Sequence, residues 1–252
     1  MKPLRLAIPL VLLPLAVPTS APAQQFEGIV TIRTVQLTSD LVSEQVGEDA
    51  DERARGKLYA MSLEQLVQLG GPADANVMQF KAGRMRSAPF EMPGFGTAYM
   101  LLDVAGGLMR TVSPSRRGYY EVSLRNLPVP STAAEEEEAM KMEPLGRTQV
   151  VNGVRCTGYR VTQGDQISHV WTTDDAAVRE LMTSWLKMAG EETEAARESR
   201  ALLARYGAPV MTQEFDADGG YRVEVWTLER KSLPDSLFVV PAGFTKLRMP
   251  GN

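Results

Sequence analysis

Apolar positions recur along this chain with two periods, and the switch between them marks out its elements. Phe26 to Leu37 reads as a strand, and Thr38 to Asp51 as a polar, acidic stretch. Leu63 to Leu69 reads as a short helix, because Ser62 and Gln65 have capping-box spacing and Gly70-Gly71 supplies a stop. β-type segments punctuated by glycine and proline follow at Val77 to Arg86, Thr97 to Asp103, Leu108 to Ser113 and Gly118 to Leu124. This spacing predicts an antiparallel meander rather than βαβ units.

Leu127 to Gly146 breaks the pattern with Pro128, Pro130, Pro144 and the run Glu135 to Glu138, and reads as a mobile, solvated loop at about 127–146. Beyond it, Val150 to Val161 alternates around Asn152-Gly153, the signature of two short strands joined by a tight turn. Ile167, His169 and Trp171 share one face of the next strand. Asp174 and Asp175 can cap a helix from Ala176 to Ala189, in which Val178, Leu181, Met182, Trp185 and Leu186 form one apolar stripe. Gly190 breaks it. A second helix, Glu191 to Tyr206, is polar except for Leu202, Leu203 and Tyr206, and ends at Gly207 with Pro209 behind. Strands return at Val210 to Phe215 and Tyr221 to Lys231 around a turn at Asp216 to Gly220, with a last strand around Phe238, Val239 and Val240. The expected fold is therefore α+β: one curved antiparallel sheet with helices over one face.

The first 23 residues stand apart from this pattern. Lys2 and Arg5 precede an apolar run from Leu6 to Val17, too short for the roughly 20 residues of a membrane span and interrupted by Pro9 and Pro14. Ala21-Pro22-Ala23 places small residues where signal peptidase cuts. The expectation is a removable signal peptide over residues 1–23 and a single β-rich domain over 24–252, starting at Gln24. No cysteine stands at the cleavage point to carry a lipid. The implied address is the periplasm, or the extracellular space in a host with no outer membrane, and no further stretch has membrane-spanning length.

Loss of the leader removes two of the 27 basic residues and none of the 31 acidic ones, which deepens the net charge from −4 to −6. An acidic surface argues against nucleic acid as a partner. Cys156 is the sole cysteine, so no intramolecular disulfide can form. It reads as a small buried hydrophobe. His169, the sole histidine, is its candidate activator, yet a dyad also needs an orienting group and an oxyanion donor. G-x-S-x-G, H-E-x-x-H, C-x-x-C and a phosphate-cradling glycine loop are all missing from the sequence. Asp216-x-Asp218 resembles the start of a calcium loop, but Gly220 stands where a third oxygen ligand belongs, and the segment reads as a hairpin turn. No catalytic residue, metal or cofactor is therefore assigned.

Five motifs carry a family resemblance across nearly all of the mature chain. They are Phe26-x-Gly28, Phe80-x-x-Gly83-Arg84-x-Arg86, Gly146-x-Thr148-x-Val150-x-x-Gly153-x-x-Cys156, His169 to Thr173, and Phe238-x-x-Pro241-x-Gly243-Phe244. In this order and spacing they resemble an exported family, domain of unknown function 4412. That family is similar to the periplasmic lipoprotein carriers, which implies a half-open β-barrel with helices packed over its concave face. The resemblance implies no activity, and the long acidic loop departs from the simplest carrier pattern.

Methionine adds colour to this picture. Met78, Met85, Met92, Met100 and Met109 lie along the first meander, where core filling competes with the lining of a pocket for flexible hydrocarbon. Two non-enzymatic functions follow. One is a carrier that holds an apolar small molecule or lipid between the sheet and the helix bearing Met182, Trp185 and Leu186, with Trp171 and Trp226 on the opposite wall. The other is a cell-envelope protein-interaction module with a closed core. The volume left between sheet and helices discriminates between them.

Overall fold

The computed structural model describes residues 26–47, 51–70, 73–124, 140–189, 194–216 and 218–248. The leader expected at residues 1–23 lies outside them. Strand β1 (Gly28–Thr38) runs into three short helices, α1 (Ser39–Val46), α2 (Glu52–Ala60) and α3 (Leu63–Gln68). The meander follows as β2 (Ala73–Lys81), β3 (Arg84–Ser87), β4 (Phe90–Met92), β5 (Gly96–Asp103), β6 (Leu108–Ser113) and β7 (Gly118–Ser123). The second half holds β8 (Lys141–Val151), β9 (Val154–Gln163), β10 (Gln166–Thr173), α4 (Ala176–Ala189), α5 (Glu194–Tyr206), β11 (Ala208–Asp216), β12 (Gly219–Arg230) and β13 (Thr245–Lys246).

The strands form one curved, unclosed sheet in the order β13-β7-β6-β5-β3-β2-β1-β12-β11-β10-β9-β8, with β4 paired to β5. This is the expected α+β half-open barrel. Neighbours run antiparallel except β13, which lies parallel to β7. β1 pairs with β2 on one side and β12 on the other, so the first strand joins the meander to the second half of the chain.

Helices cover both faces of the sheet. Directly paired residues on neighbouring strands point the same way. Arg33 and Val35 therefore share a face with Glu224 and Arg222, which in turn share it with Met211 and Gln213. On that face α1–α3 pack Val42, Leu58, Leu63 and Leu66 against Val35, Leu37 and Phe215. The alternate positions carry α4 and α5. There Val30, Met78 and Phe80 join Val178 and Leu181 in the largest core.

Several local features follow from the sequence as expected. Asn152 and Gly153, at φ 48° and 83°, form the left-handed pair that a type I′ hairpin requires. Ser62 and Gln65 close a capping box on α3, with Gln65 N to Ser62 Oγ at 3.2 Å and Ser62 N to Gln65 Oε1 at 2.7 Å.

Three expectations are corrected. The polar stretch after β1 contains α1 and the approach to α2, capped by the side chains of Thr38 and Asp51. Their helicity rests on a few buried contacts, Val42 and Leu58 above all, rather than on a visible apolar stripe. Residues 141–146, placed in the acidic loop, belong to β8; the remainder of that segment up to residue 139 lies outside the described residues. Pro144 is tolerated because β8 is an edge strand whose pairing with β9 shifts between Pro144 and Thr148. The strand expected around Phe238 to Val240 is instead a 3-10 turn, Asp235–Phe238, and the last strand is β13. Pro234 starts that turn and accepts from Leu237 N. It buries Phe238, over whose ring the Arg84 guanidinium lies at 5.3 Å.

Candidate functional site

Between α4, α5 and the sheet lies an open cleft of about 470 Å³. The register of the strands shows how its floor is built. Ser168 pairs with Val161 on one side and Glu214 on the other, Val161 pairs with Met142, and Glu214 pairs with Tyr221. One row across five strands thus reads Met142, Val161, Ser168, Glu214 and Tyr221. The row before it is Gln163 beside Gln166, and the row after it sets Val170 beside Thr212. The walls come from Met182 and Leu186 of α4 and Leu202, Leu203 and Tyr206 of α5.

The cleft is therefore graded. Gln163, Gln166, Ser168, Glu214 and Tyr221 put most of the floor's polar groups in the first two rows, and Val170, Thr212, Thr172 and Pro209 follow. At the polar end the Tyr221 hydroxyl donates to Glu214 Oε2 at 3.3 Å. Burial, reinforced by the Glu214 charge, raises the Tyr221 pKa and keeps its proton in place. Glu214 is the single charged residue among the described residues that line the cleft.

The residues expected to form the site divide between the two faces. Met182 and Leu186 line the cleft. Trp185 sits beside them on α4 but turns away, packing on the Phe80 ring at 6.1 Å and remaining 38% exposed. Trp171 pairs with Met211 and is buried on the face opposite the cleft. Its ring fills the space over Gly158, where an added Cβ would stand 2.8 Å from it. Trp226 lies under the Arg33 guanidinium at 4.3 Å, and Arg33 reaches Glu64 of α3, so Trp226 also belongs to the α1–α3 face. The structure does not gather the tryptophans into one wall.

Sequence reasoning missed the cleft floor because it chose the wrong side of β10. Ile167, His169 and Trp171 are the bulkier set, but the cleft uses Gln166, Ser168, Val170 and Thr172. The signal was the modest size of that alternate set beside two leucine-bearing helices. Of the meander methionines, Met78 and Met85 are buried in the core, while the cleft is bordered by Met140, Met142 and Met182.

The opposite face is closed by polar as well as apolar contacts. Arg222 Nη2 donates to Glu224 Oε2 at 3.0 Å, and Arg222 Nη1 donates to the Met61 carbonyl at 2.5 Å. Gln213 Nε2 donates to the Tyr59 carbonyl at 3.1 Å, while the Tyr59 ring stacks on His169 at 3.9 Å between centroids. His169 pairs with Arg160 of β9, four positions along the strand from Cys156, a separation of about 13 Å at strand rise. Burial pushes the Cys156 thiol up to about 11. Among the described residues no group of His, Cys, Asp or Glu is placed to hold a metal ion, and no helix is long and apolar enough to cross a membrane.

A family model described as a domain of unknown function (DUF4412) matches residues 73–244. No curated protein matches the chain. Two solved structures of PNGF-II, in C2 and P21 space groups, are similar to it at 11% and 10% identity, with TM-scores of 0.32 and 0.31. Those matches cover 86% and 84% of this chain but 31% and 30% of the PNGF-II chains, so this chain spans about a third of their length.

Proposed function

We propose, for a chain that belongs to the family described as a domain of unknown function (DUF4412), that it is a non-catalytic carrier of an apolar, acyl-like ligand in the cell envelope. The observation that carries this reading is the cleft itself. Its 470 Å³ falls within the roughly 300 to 1,000 Å³ of small-molecule sites, and its walls are largely hydrocarbon with polar groups gathered at one end. Met140, Met142 and Met182 suit a ligand without fixed shape, since thioether chains repack at little cost. An interaction module with a closed core would need this face filled as the other one is. The leader supports the address, and the mature protein has an intact mass beginning at Gln24; a mass that retains residues 1–23 contradicts it.

Titration with the uncharged apolar dye N-phenyl-1-naphthylamine tests the reading. Wild-type protein gives saturable binding at one dye per chain. Leu202→Trp, which fills the cleft from α5, removes that binding while the protein still melts cooperatively. The reading fails if wild type shows no saturable binding, or if the filled variant binds as well as wild type does.

A further inference from the structure

The graded cleft also selects a head group. Resting on the carrier reading, we infer that the ligand's polar end is neutral or cationic and carries a hydrogen-bond donor, so that a free fatty acid carboxylate is rejected. The polar rows offer Gln163, Gln166, Ser168, Glu214 and Tyr221. This set accepts and donates hydrogen bonds but supplies no positive charge, and a carboxylate binder needs an arginine or lysine fork or a set of backbone donors. No Lys, Arg or His among the described residues lines the cleft.

Glu214 sharpens the selection. It accepts from the Tyr221 hydroxyl and makes no ion pair among the described residues. The carboxylate therefore keeps lone pairs available toward the cleft, where a hydroxyl, amide or ammonium can donate to them. A second carboxylate would meet like charge in a space bounded by hydrocarbon, where repulsion is screened less than in water. Tyr221 cannot relieve this, because its hydroxyl hydrogen is already engaged by Glu214. The acidic surface of the mature chain acts in the same direction at longer range.

The test displaces bound N-phenyl-1-naphthylamine with three ten-carbon amphiphiles below their micelle concentrations: decanol, decylamine and decanoate. Decanol and decylamine displace the dye at concentrations at least about ten-fold lower than decanoate does, a gap of about 1.4 kcal/mol. Glu214→Gln narrows that gap to about two-fold, by weakening decylamine and strengthening decanoate, because it removes the charge and keeps the shape. Tyr221→Phe keeps the charge and preserves discrimination against decanoate. Equal displacement by all three, preference for decanoate, or an unchanged gap in Glu214→Gln overturns the head-group assignment and leaves the carrier reading standing. Failure of the dye itself to bind wild type overturns the carrier reading instead.

Discussion

The two faces of β11 and β12 are built from alternate residues of the same strands, yet they end differently. Gln213, Phe215, Arg222 and Glu224 are all buried beneath α1–α3. One step along, Thr212, Glu214 and Tyr221 border an open cleft beneath α4 and α5. The helical lids explain the contrast. Leu58, Leu63 and Leu66 enter the first face completely, whereas α4 commits Val178 and Leu181 to the core beside β1 and leaves Met182 and Leu186 partly buried over the cleft. Period-two alternation therefore lets one sheet carry a closed core on one side and a site on the other.

The sharpest break of this contrast comes from the buried ion pair on the closed face. Glu224→Ala leaves Arg222 without its carboxylate in a buried position and destabilises the protein by about 3 to 5 kcal/mol in urea denaturation. Replacing both, as Arg222→Met with Glu224→Leu, is close to neutral, since the uncompensated charge is what costs. A loss from the double variant as large as from the single one would mean that the closed face depends on the pair itself.

The same comparison can be drawn with leucines. Leu66→Ala, in a fully buried site, costs about 2 to 5 kcal/mol, while Leu202→Ala, on the cleft wall, costs less than about 1 kcal/mol. Equal losses would show that the cleft is closed in solution.

Much of the architecture was legible because it rests on local rules. Asn152-Gly153 announced a hairpin because few other pairs tolerate two left-handed residues. Ser62 with Gln65 announced α3, and the stripe through Val178, Leu181 and Met182 announced α4. The cleft was not legible, for a physical reason. A period of two shows which residues share a side of a strand, but the register between strands distant in sequence decides which side meets which helix. That register includes an extra residue in β11 between Met211 and Pro209, and another in β12 at Trp226, where Thr31 pairs with Thr227 but Ile32 pairs with Val225. Trp171, Trp185 and Trp226 shared hydrophobicity and size, and the fold sends all three away from the cleft. α1 escaped notice for a related reason: Val42 is its one fully buried residue, and a single contact leaves no periodic trace.

A smaller effect is expected at Cys156, between the two faces in character: buried, yet small. Cys156→Ala loses about 1 kcal/mol through a minor cavity. Its thiol, with a folded-state pKa raised by burial to about 11 from 9.0, stays protonated in the native chain when the unfolded chain would ionise. Its contribution to stability is therefore complete below pH 9 and declines as pH rises toward 11, and Cys156→Ala flattens that decline. Rapid labelling of the native thiol by a bulky maleimide at neutral pH would contradict its burial.

The central claim, that the α4–α5 face is open because it holds a ligand, is tested most directly by native mass spectrometry of protein purified from cells without detergent. The account predicts one small apolar molecule bound per chain, removed by organic extraction, with the extracted protein melting at a lower temperature than the loaded one. A protein mass with nothing bound, together with a melting temperature that extraction does not change, would contradict it.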